Sequence, residues 1–149
     1  FRLPVFGTLI QKVAIARFSS TLATLLQSGV PIIRSLEICS ESSGNEVINA
    51  VLRDAMERTE RGEQMADALR ASPYVPRMVT KMVEVGEGTG RLDQMLSRVS
   101  AFFTDQVNTA VAGLTALIEP LLIIFLGIVV GGIMLSMFLP IFRLSTVIS

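Results

Sequence analysis

The chain has 149 residues, half of which are hydrophobic, and its thirteen basic and thirteen acidic side chains give a formal net charge of zero. Because histidine is absent and cysteine occurs once, the sequence offers no imidazole general base, no histidine metal ligand and no thiolate cluster. We therefore predict a non-enzymatic protein without a cofactor or metal. The neutral charge gives no overall basic field for binding nucleic acid, so we predict no nucleic-acid partner. The single cysteine, Cys39, is predicted to be a small buried residue.

Glycine, proline and serine divide the first part of the chain into predicted helices. Apolar residues at helical spacing predict a helix over residues 8–27, which ends at Gly29 and Pro31. A second helix is predicted over residues 32–42. Asn45 follows the next turn, and we predict that it caps a third helix, because its side chain can accept hydrogen bonds from the first backbone N–H groups.

Charged residues mark one face of the third predicted helix. Asp54 precedes Arg58 by four residues, and Glu57 precedes Arg61 by the same spacing. Acid-before-base pairs at this spacing lie on one side of a helix and stabilise it by about 0.2–0.5 kcal/mol each. We therefore interpret these charges as a solvent-exposed surface.

A glycine-rich segment separates two further predicted helices from the last one. A short helix is predicted over residues 65–70, and the next begins near Pro76, carries apolar residues as far as Val85 and ends in the segment of residues 86–90. A dinucleotide-binding loop needs glycines at its first, third and sixth positions after a strand, whereas the sixth residue here is Arg91 and no strand precedes it, so we predict a tight interhelical turn. The residues of this turn are Gly86, Glu87, Gly88 and Gly90.

The last predicted helix is long and becomes apolar. Apolar residues at helical spacing continue from Arg91 with no helix breaker until Pro120. Residues 121–142 are then an uncharged run of twenty-two residues in which Ser136 is the only polar side chain. A helix of this length measures about 33 Å, which is enough to cross a bilayer core of about 30 Å.

These elements together predict an all-α protein. No segment alternates apolar and polar residues over the length of a strand between turns. We expect an antiparallel helical bundle of five or six helices in residues 1–118, one transmembrane helix in residues 119–142 and a short tail in residues 143–149. The last helix of the bundle is expected to continue directly into the membrane helix.

Two features of the predicted membrane helix suggest more than a simple anchor. Glu119 and Pro120 stand at its start, where a carboxylate can be solvated and a proline can kink the helix, so we hypothesise a hinge. Farther along, small residues four apart allow a second helix to approach closely in lipid, and we predict packing against other membrane helices there. The pairs are Gly127 with Gly131 and Gly132 with Ser136.

An ordered set of short motifs resembles the repeated domain of the type II secretion system F proteins and type IV pilus assembly PilC proteins. The motifs cover essentially the whole chain, and each is weak alone, but their order and the final membrane helix are specific. They are Leu3-Pro4-Val5-Phe6-Gly7, Lys12, Arg17-Phe18, Leu22-Ala23-Thr24-Leu25-Leu26, Ser28-Gly29-Val30-Pro31, Gly62 with Met65 and Ala68-Leu69, Val85-Gly86-Glu87-Gly88-Thr89-Gly90, Leu92 with Met95-Leu96, and Glu119-Pro120-Leu121.

The resemblance implies a role in a filament-building machine. Members of this family have two copies of a six-helix cytoplasmic domain and three membrane helices, and the present chain resembles the second copy with the last membrane helix. The family forms the platform of the bacterial inner membrane, where it is expected to couple a cytoplasmic assembly ATPase to the insertion of pilin or pseudopilin subunits. The resemblance thus implies these partners, other components of the machine, a homo-oligomer and the lipid bilayer.

The sequence leaves two points open. Arg143 follows the predicted membrane helix, while no basic residue lies between Arg98 and that helix. Because basic residues favour the cytoplasmic side, this charge bias favours a cytoplasmic tail. The resemblance implies the opposite orientation, with the bundle in the cytoplasm and the tail in the periplasm. On composition alone, a tail-anchored helical adaptor of the inner membrane fits equally well. A membrane-bound enzyme that uses its carboxylates is a third alternative, and it would need a pocket that the sequence does not indicate.

Overall fold

The computed structural model describes residues 4–148, and within them the secondary structure consists of six α-helices and no strand. The predicted all-α fold with a long apolar C-terminal helix is therefore confirmed. The helices are α1 Pro4–Gln27, α2 Ile32–Ser42, α3 Glu46–Glu60, α4 Met65–Ala71, α5 Arg77–Thr89 and α6 Leu92–Ile148.

The first helix begins earlier than predicted and ends where expected. Pro4 starts α1, a position that suits proline because the first backbone N–H groups of a helix have no partner within it. The hydroxyl of Thr8 donates to the Pro4 carbonyl at 3.0 Å, so Thr8 lies within the helix. At the other end, Gly29 has a φ of 81°, and Val30 N–H donates to the Leu25 carbonyl at 3.0 Å, which closes the helix.

The third helix has the predicted cap and one of the two predicted ion pairs. Oδ1 of Asn45 accepts hydrogen bonds from the backbone N–H of Val47 at 3.0 Å and of Ile48 at 3.2 Å. Arg58 pairs with Asp54 at 3.1 Å. The second predicted pair, Glu57 with Arg61, is not formed among residues 4–148, because Arg61 is the C-cap residue and lies beyond the last helical residue.

The chain divides into two compact units. The first reaches Asn108 and contains α1 to α5 with the start of α6; the second begins at Thr109 and holds the rest of α6. The predicted domain boundary at residue 118 stays a prediction, since α6 is helical through that point. The tail predicted over residues 143–149 is helical as far as Ile148.

The hydrophobic core lies in the first unit, and every helix contributes to it. Consecutive helices from α1 to α5 contact one another, and the first turns of α6 add further side chains. The largest fully buried side chains are Ile15, Leu22, Leu36, Cys39, Ile48, Leu52, Met65, Leu69, Val79, Val83, Leu96 and Val99. Cys39 is thus buried as predicted, and this burial raises the pKa of its thiol to about 11.

Within this unit, α1 and the beginning of α6 run antiparallel. Lys12 Nζ donates to Gln106 Oε1 at 2.8 Å, while Ser100 Oγ donates to the Ala16 carbonyl at 3.3 Å. Residue numbers therefore increase along α1 in the direction in which they decrease along α6. The contact places α6 against the core before it continues toward its apolar part.

Candidate functional site

The C-terminal part of α6 exposes an apolar surface. The last core residue of the helix is Phe103, and the apolar side chains from Leu121 onward are exposed, with Leu122 at 61% and Ile128 at 69%. Soluble proteins rarely leave so large a continuous apolar area in water. This surface therefore needs lipid or other protein against it.

By length and composition, two of the described helices can cross a membrane: α1 and α6. They differ in burial. The helix α1 supplies Ile15, Phe18 and Leu22 to the core of the bundle, whereas the most apolar part of α6 supplies nothing to any core. Since a core helix of a soluble domain passes the same test, α6 is the better candidate for a membrane span.

The small residues predicted to pack against other helices lie in this apolar part. A Cβ atom at Gly127, Gly131 or Gly132 would meet no atom of the described chain within 4 Å. Ser136 Oγ donates to the Gly132 carbonyl at 2.9 Å, so the hydroxyl is satisfied within its own helix. The face is thus smooth and open, which suits close helix approach in lipid. The packing role of these four residues stays a prediction.

Glu119 and Pro120 lie inside α6 rather than at a break in it. Pro120 has no N–H to donate to the Ala116 carbonyl, so the helix lacks one backbone hydrogen bond at this point. Apolar side chains are exposed on both sides of the pair, with Leu117 at 65% and Leu121 at 63%. Glu119 is therefore a single charge within an apolar surface, and its part in a hinge stays a prediction.

The glycine-rich segment is mostly helical, which corrects the predicted turn. The helix α5 continues through Gly86, Glu87 and Gly88 to Thr89, so the prediction that these three residues form an interhelical turn is wrong. Only Gly90 has the left-handed conformation, with a φ of 70°. Glycine inside a helix costs about 1 kcal/mol relative to alanine, and two tertiary contacts of this segment outweigh that cost.

The first of these contacts is a close approach at Gly86. A Cβ atom there would lie 2.8 Å from Leu92 Cα and 3.2 Å from Met95 Cβ. The last turn of α5 therefore contacts the first turn of α6 directly. The carbonyl of Gly86 also accepts the N–H of Arg91 at 3.0 Å, which closes the short connection between the two helices.

The second contact is made by the carboxylate of Glu87. Its two oxygens accept hydrogen bonds from the backbone N–H of Met65 at 2.7 Å and of Ala66 at 3.1 Å, at the start of α4. Gln64, the N-cap residue of α4, makes no side-chain capping bond. Glu87 thus caps α4 from another helix, and its charge also interacts favourably with the positive end of the helix dipole.

Sequence reasoning missed this cap because the two partners are more than twenty residues apart. One signal was available: no serine, threonine, aspartate or asparagine stands directly before Met65. A short helix without a local cap needs a tertiary one.

Among residues 4–148, no group of three or more histidine, cysteine, aspartate or glutamate residues is placed to hold a metal ion.

Comparisons with known proteins place these features in one family. The model of the type II secretion system (T2SS) protein F family matches residues 18–140. Type IV pilus assembly protein PilC of Thermus thermophilus is 49% identical over 149 residues, covering 99% of this chain and 37% of the relative. The protein of the same name from Myxococcus xanthus is 42% identical, over 96% of this chain and 34% of the relative.

Relatives from secretion machines match as well. Type II secretion system protein F of Pseudomonas aeruginosa is 35% identical over 147 residues, which cover 99% of this chain and 36% of that protein. The chain thus spans somewhat more than a third of the length of the curated relatives it matches. From the match over residues 18–140 we conclude that the chain belongs to the type II secretion system protein F family.

Proposed function

We propose that the protein forms part of the inner-membrane platform of a type IV pilus or type II secretion machine. The observation that carries this proposal is the family match over residues 18–140, which includes most of the bundle and most of the apolar helix. Similar proteins are named for type IV pilus assembly and for type II secretion. The tail-anchored adaptor is less well supported, because it does not account for this match.

The proposed location is the bacterial inner membrane, with the bundle in the cytoplasm and the full-length protein crossing the membrane several times. The exposed apolar surface of α6 supports membrane insertion. Arg143 opposes the proposed orientation, but one basic residue is a weak determinant, and membrane helices elsewhere in a longer chain can set the orientation. A reporter fused after Ser149 that is active only in the cytoplasm would reverse this assignment.

The proposed mechanism is mechanical. A cytoplasmic assembly ATPase acts on the bundle, and the bundle passes the motion to pilin or pseudopilin subunits in the membrane. The geometry suits this role because Leu96, Val99 and Phe103 fix the start of α6 in the core, and the same helix continues without a loop into the apolar part. We propose a hinge at Glu119 and Pro120, where one backbone hydrogen bond is missing.

We also propose that the platform is a homo-oligomer held partly through the membrane helix. The open face of Gly127, Gly131, Gly132 and Ser136 supports this, since backbones can approach closely where side chains are small. The protein itself would then need no catalytic residue or cofactor.

Deletion of the gene in its host tests the proposal. We expect loss of surface filaments or loss of protein secretion, restored by the wild-type gene on a plasmid. Normal filaments together with normal secretion in the deletion strain would refute the platform role.

A further inference from the structure

A cavity opens between the end of α4 and the first two turns of α5. Its volume is about 560 Å³. Val75 and Thr80 form part of its lining and are 6% and 4% exposed, while Pro73 and Pro76 add rigid apolar walls. The cavity is therefore concave and mostly apolar, and it lies in the first compact unit.

The rim of this cavity is basic. Arg70, Arg77 and Lys81 lie on it with one carboxylate, that of Glu84. Arg70 is already paired, with Asp67 at 2.8 Å and with Glu84 at 3.1 Å. In the part of the chain that the structure describes, Arg77 and Lys81 have no carboxylate within 4.0 Å, so two exposed cations remain at the rim without a partner.

The positions of these two cations are unfavourable for the helix that bears them. Arg77 is the first residue of α5, where the helix dipole favours an acid, and the first turn of α5 contains none. Lys81 follows four residues later, so the two like charges are neighbours on one helix face. The fold gains nothing from this arrangement, whereas an anion supplied from outside would stabilise both charges.

The hydroxyl of a largely buried residue lies in the same cavity. Thr80 is 4% exposed, and its Oγ1 makes no side-chain hydrogen bond among residues 4–148. It is not one of the fully buried unpaired oxygens of the described residues, which are Ser19 Oγ and Asn49 Oδ1, so it can be reached from the cavity. The carbonyl of Pro76, four residues earlier, already accepts the N–H groups of Val79 at 3.0 Å and Thr80 at 3.4 Å. By contrast, Thr89 on the same helix bonds back to the Val85 carbonyl at 2.8 Å. Thr80 therefore presents a free donor to the cavity.

We propose that this cavity binds an acidic segment of another protein chain. A carboxylate of the segment lies between Arg77 and Lys81 and accepts a hydrogen bond from Thr80, and a neighbouring apolar side chain packs on Val75. The inference rests on the proposed function, because the partner is then a cytoplasmic component of the same machine.

The shape and charge of the cavity favour a peptide over other anions. A flat layer of lipid headgroups fits a concave cavity poorly, and Thr80 and Val75 in its lining are only 4% and 6% exposed. A free phosphate carries more negative charge than a carboxylate, so the Glu84 carboxylate in the same lining repels it more strongly, and it cannot cover the apolar walls. A carboxylate carries a single charge, and its chain supplies the apolar contacts.

Photocrosslinking in the full-length protein, in its host, tests the site directly. We would replace Lys81 with benzoylphenylalanine and, as a matched control, Arg53, an exposed arginine of α3 with no ion pair among the described residues. We expect a protein adduct at position 81 only, mapping to a segment rich in aspartate or glutamate. An adduct with phospholipid, an adduct with a segment lacking carboxylates, or no adduct would overturn the proposal.

Charge reversal supplies a second readout. We expect the double variant Arg77→Glu with Lys81→Glu, made without the photocrosslinker, to lower filament assembly or secretion by about tenfold or more at unchanged protein level in the membrane. The control, Arg53→Glu with Arg91→Glu, makes the same change of net charge on exposed side chains and should leave assembly and secretion unchanged. Changing the acidic residues of the crosslinked segment to lysine should restore the double variant.

The two proposals fail differently. If deletion of the gene leaves filaments and secretion intact, the platform role fails, while crosslinking still reports on the cavity. If deletion abolishes assembly but Arg77→Glu with Lys81→Glu does not, the cavity is not a docking site and the platform role stands.

Thr80→Val, which removes only the hydroxyl, should lower adduct yield without a change of charge; unchanged yield would remove Thr80 from the site.

Discussion

Removal of the Glu87 carboxylate should open the start of α4. In the variant Glu87→Ala, the backbone N–H groups of Met65 and Ala66 lose their acceptors, which lie at 2.7 and 3.1 Å. Leaving a buried donor without a partner costs about 1–3 kcal/mol. Because Glu87 is only half-buried, water can replace part of the loss, and we expect a total of about 2 kcal/mol.

Hydrogen exchange at the amides of Met65 and Ala66 measures this effect where it occurs. If exchange proceeds through local opening of α4, a loss of about 2 kcal/mol in the free energy of that opening makes exchange roughly thirtyfold faster. Glu87→Gln keeps an acceptor oxygen but loses the charge, and its rates should lie between those of the wild type and of Glu87→Ala.

Glu84→Ala is the matched control, on the same helix. It removes only the half-exposed ion pair with Arg70, which is worth about 0–1 kcal/mol, so exchange at the start of α4 should rise less than about fivefold. Rates in Glu87→Ala no faster than in this control would refute the assignment of Glu87 as the cap of α4.

Three further outcomes follow from the packing of the bundle and the membrane helix. Gly86→Ala should lower the free energy of unfolding by about 1–3 kcal/mol, because the added Cβ would lie 2.8 Å from Leu92 Cα. A Cβ at position 88 meets no atom within 4 Å, so Gly88→Ala should raise the free energy of unfolding by about 0.4–1 kcal/mol. Thermal melts of the two variants compare these effects. The pKa of the Cys39 thiol is raised to about 11, so the folded protein keeps a proton that the unfolded chain releases above pH 9. The free energy of unfolding should therefore fall as pH rises from 9 to 11, and a Cys39→Ala variant should show less of this fall. Gly127→Leu with Gly131→Leu should reduce disulfide crosslinking between subunits through cysteines introduced in α6, and undiminished crosslinking would remove this face from the interface.

The helix order was predictable because local signals coincide with the real ends of helices. Gly29 adopts a positive φ where α1 ends, and Asn45 caps α3 through its own side chain. Each signal acts within a few residues, so the sequence alone contains it. The uncharged run in residues 121–142 is likewise a property of composition.

The glycine-rich segment could not be predicted in the same way. Glycines at positions 86 and 88 normally weaken a helix, and local propensity therefore placed a turn there. The helix persists because Gly86 allows α6 to pack directly against it and Glu87 caps α4. Both causes depend on residues that are distant in sequence or that belong to a following helix. The cavity beside Arg77, Thr80 and Lys81 likewise depends on the packing of α4 against α5, which the sequence alone does not give.

The burial of α1 has a consequence for biosynthesis. A ribosome that delivers this segment to the membrane presents α1 before α6, and the insertion machinery meets two helices that are long and apolar enough to enter the bilayer. Insertion of α1 would take Phe18 and Leu22 out of the core. Lys12 and Arg17 oppose it, since a basic residue near the centre of an inserting helix costs about 2.5–3.5 kcal/mol. These two side chains therefore help to decide which helix the membrane accepts.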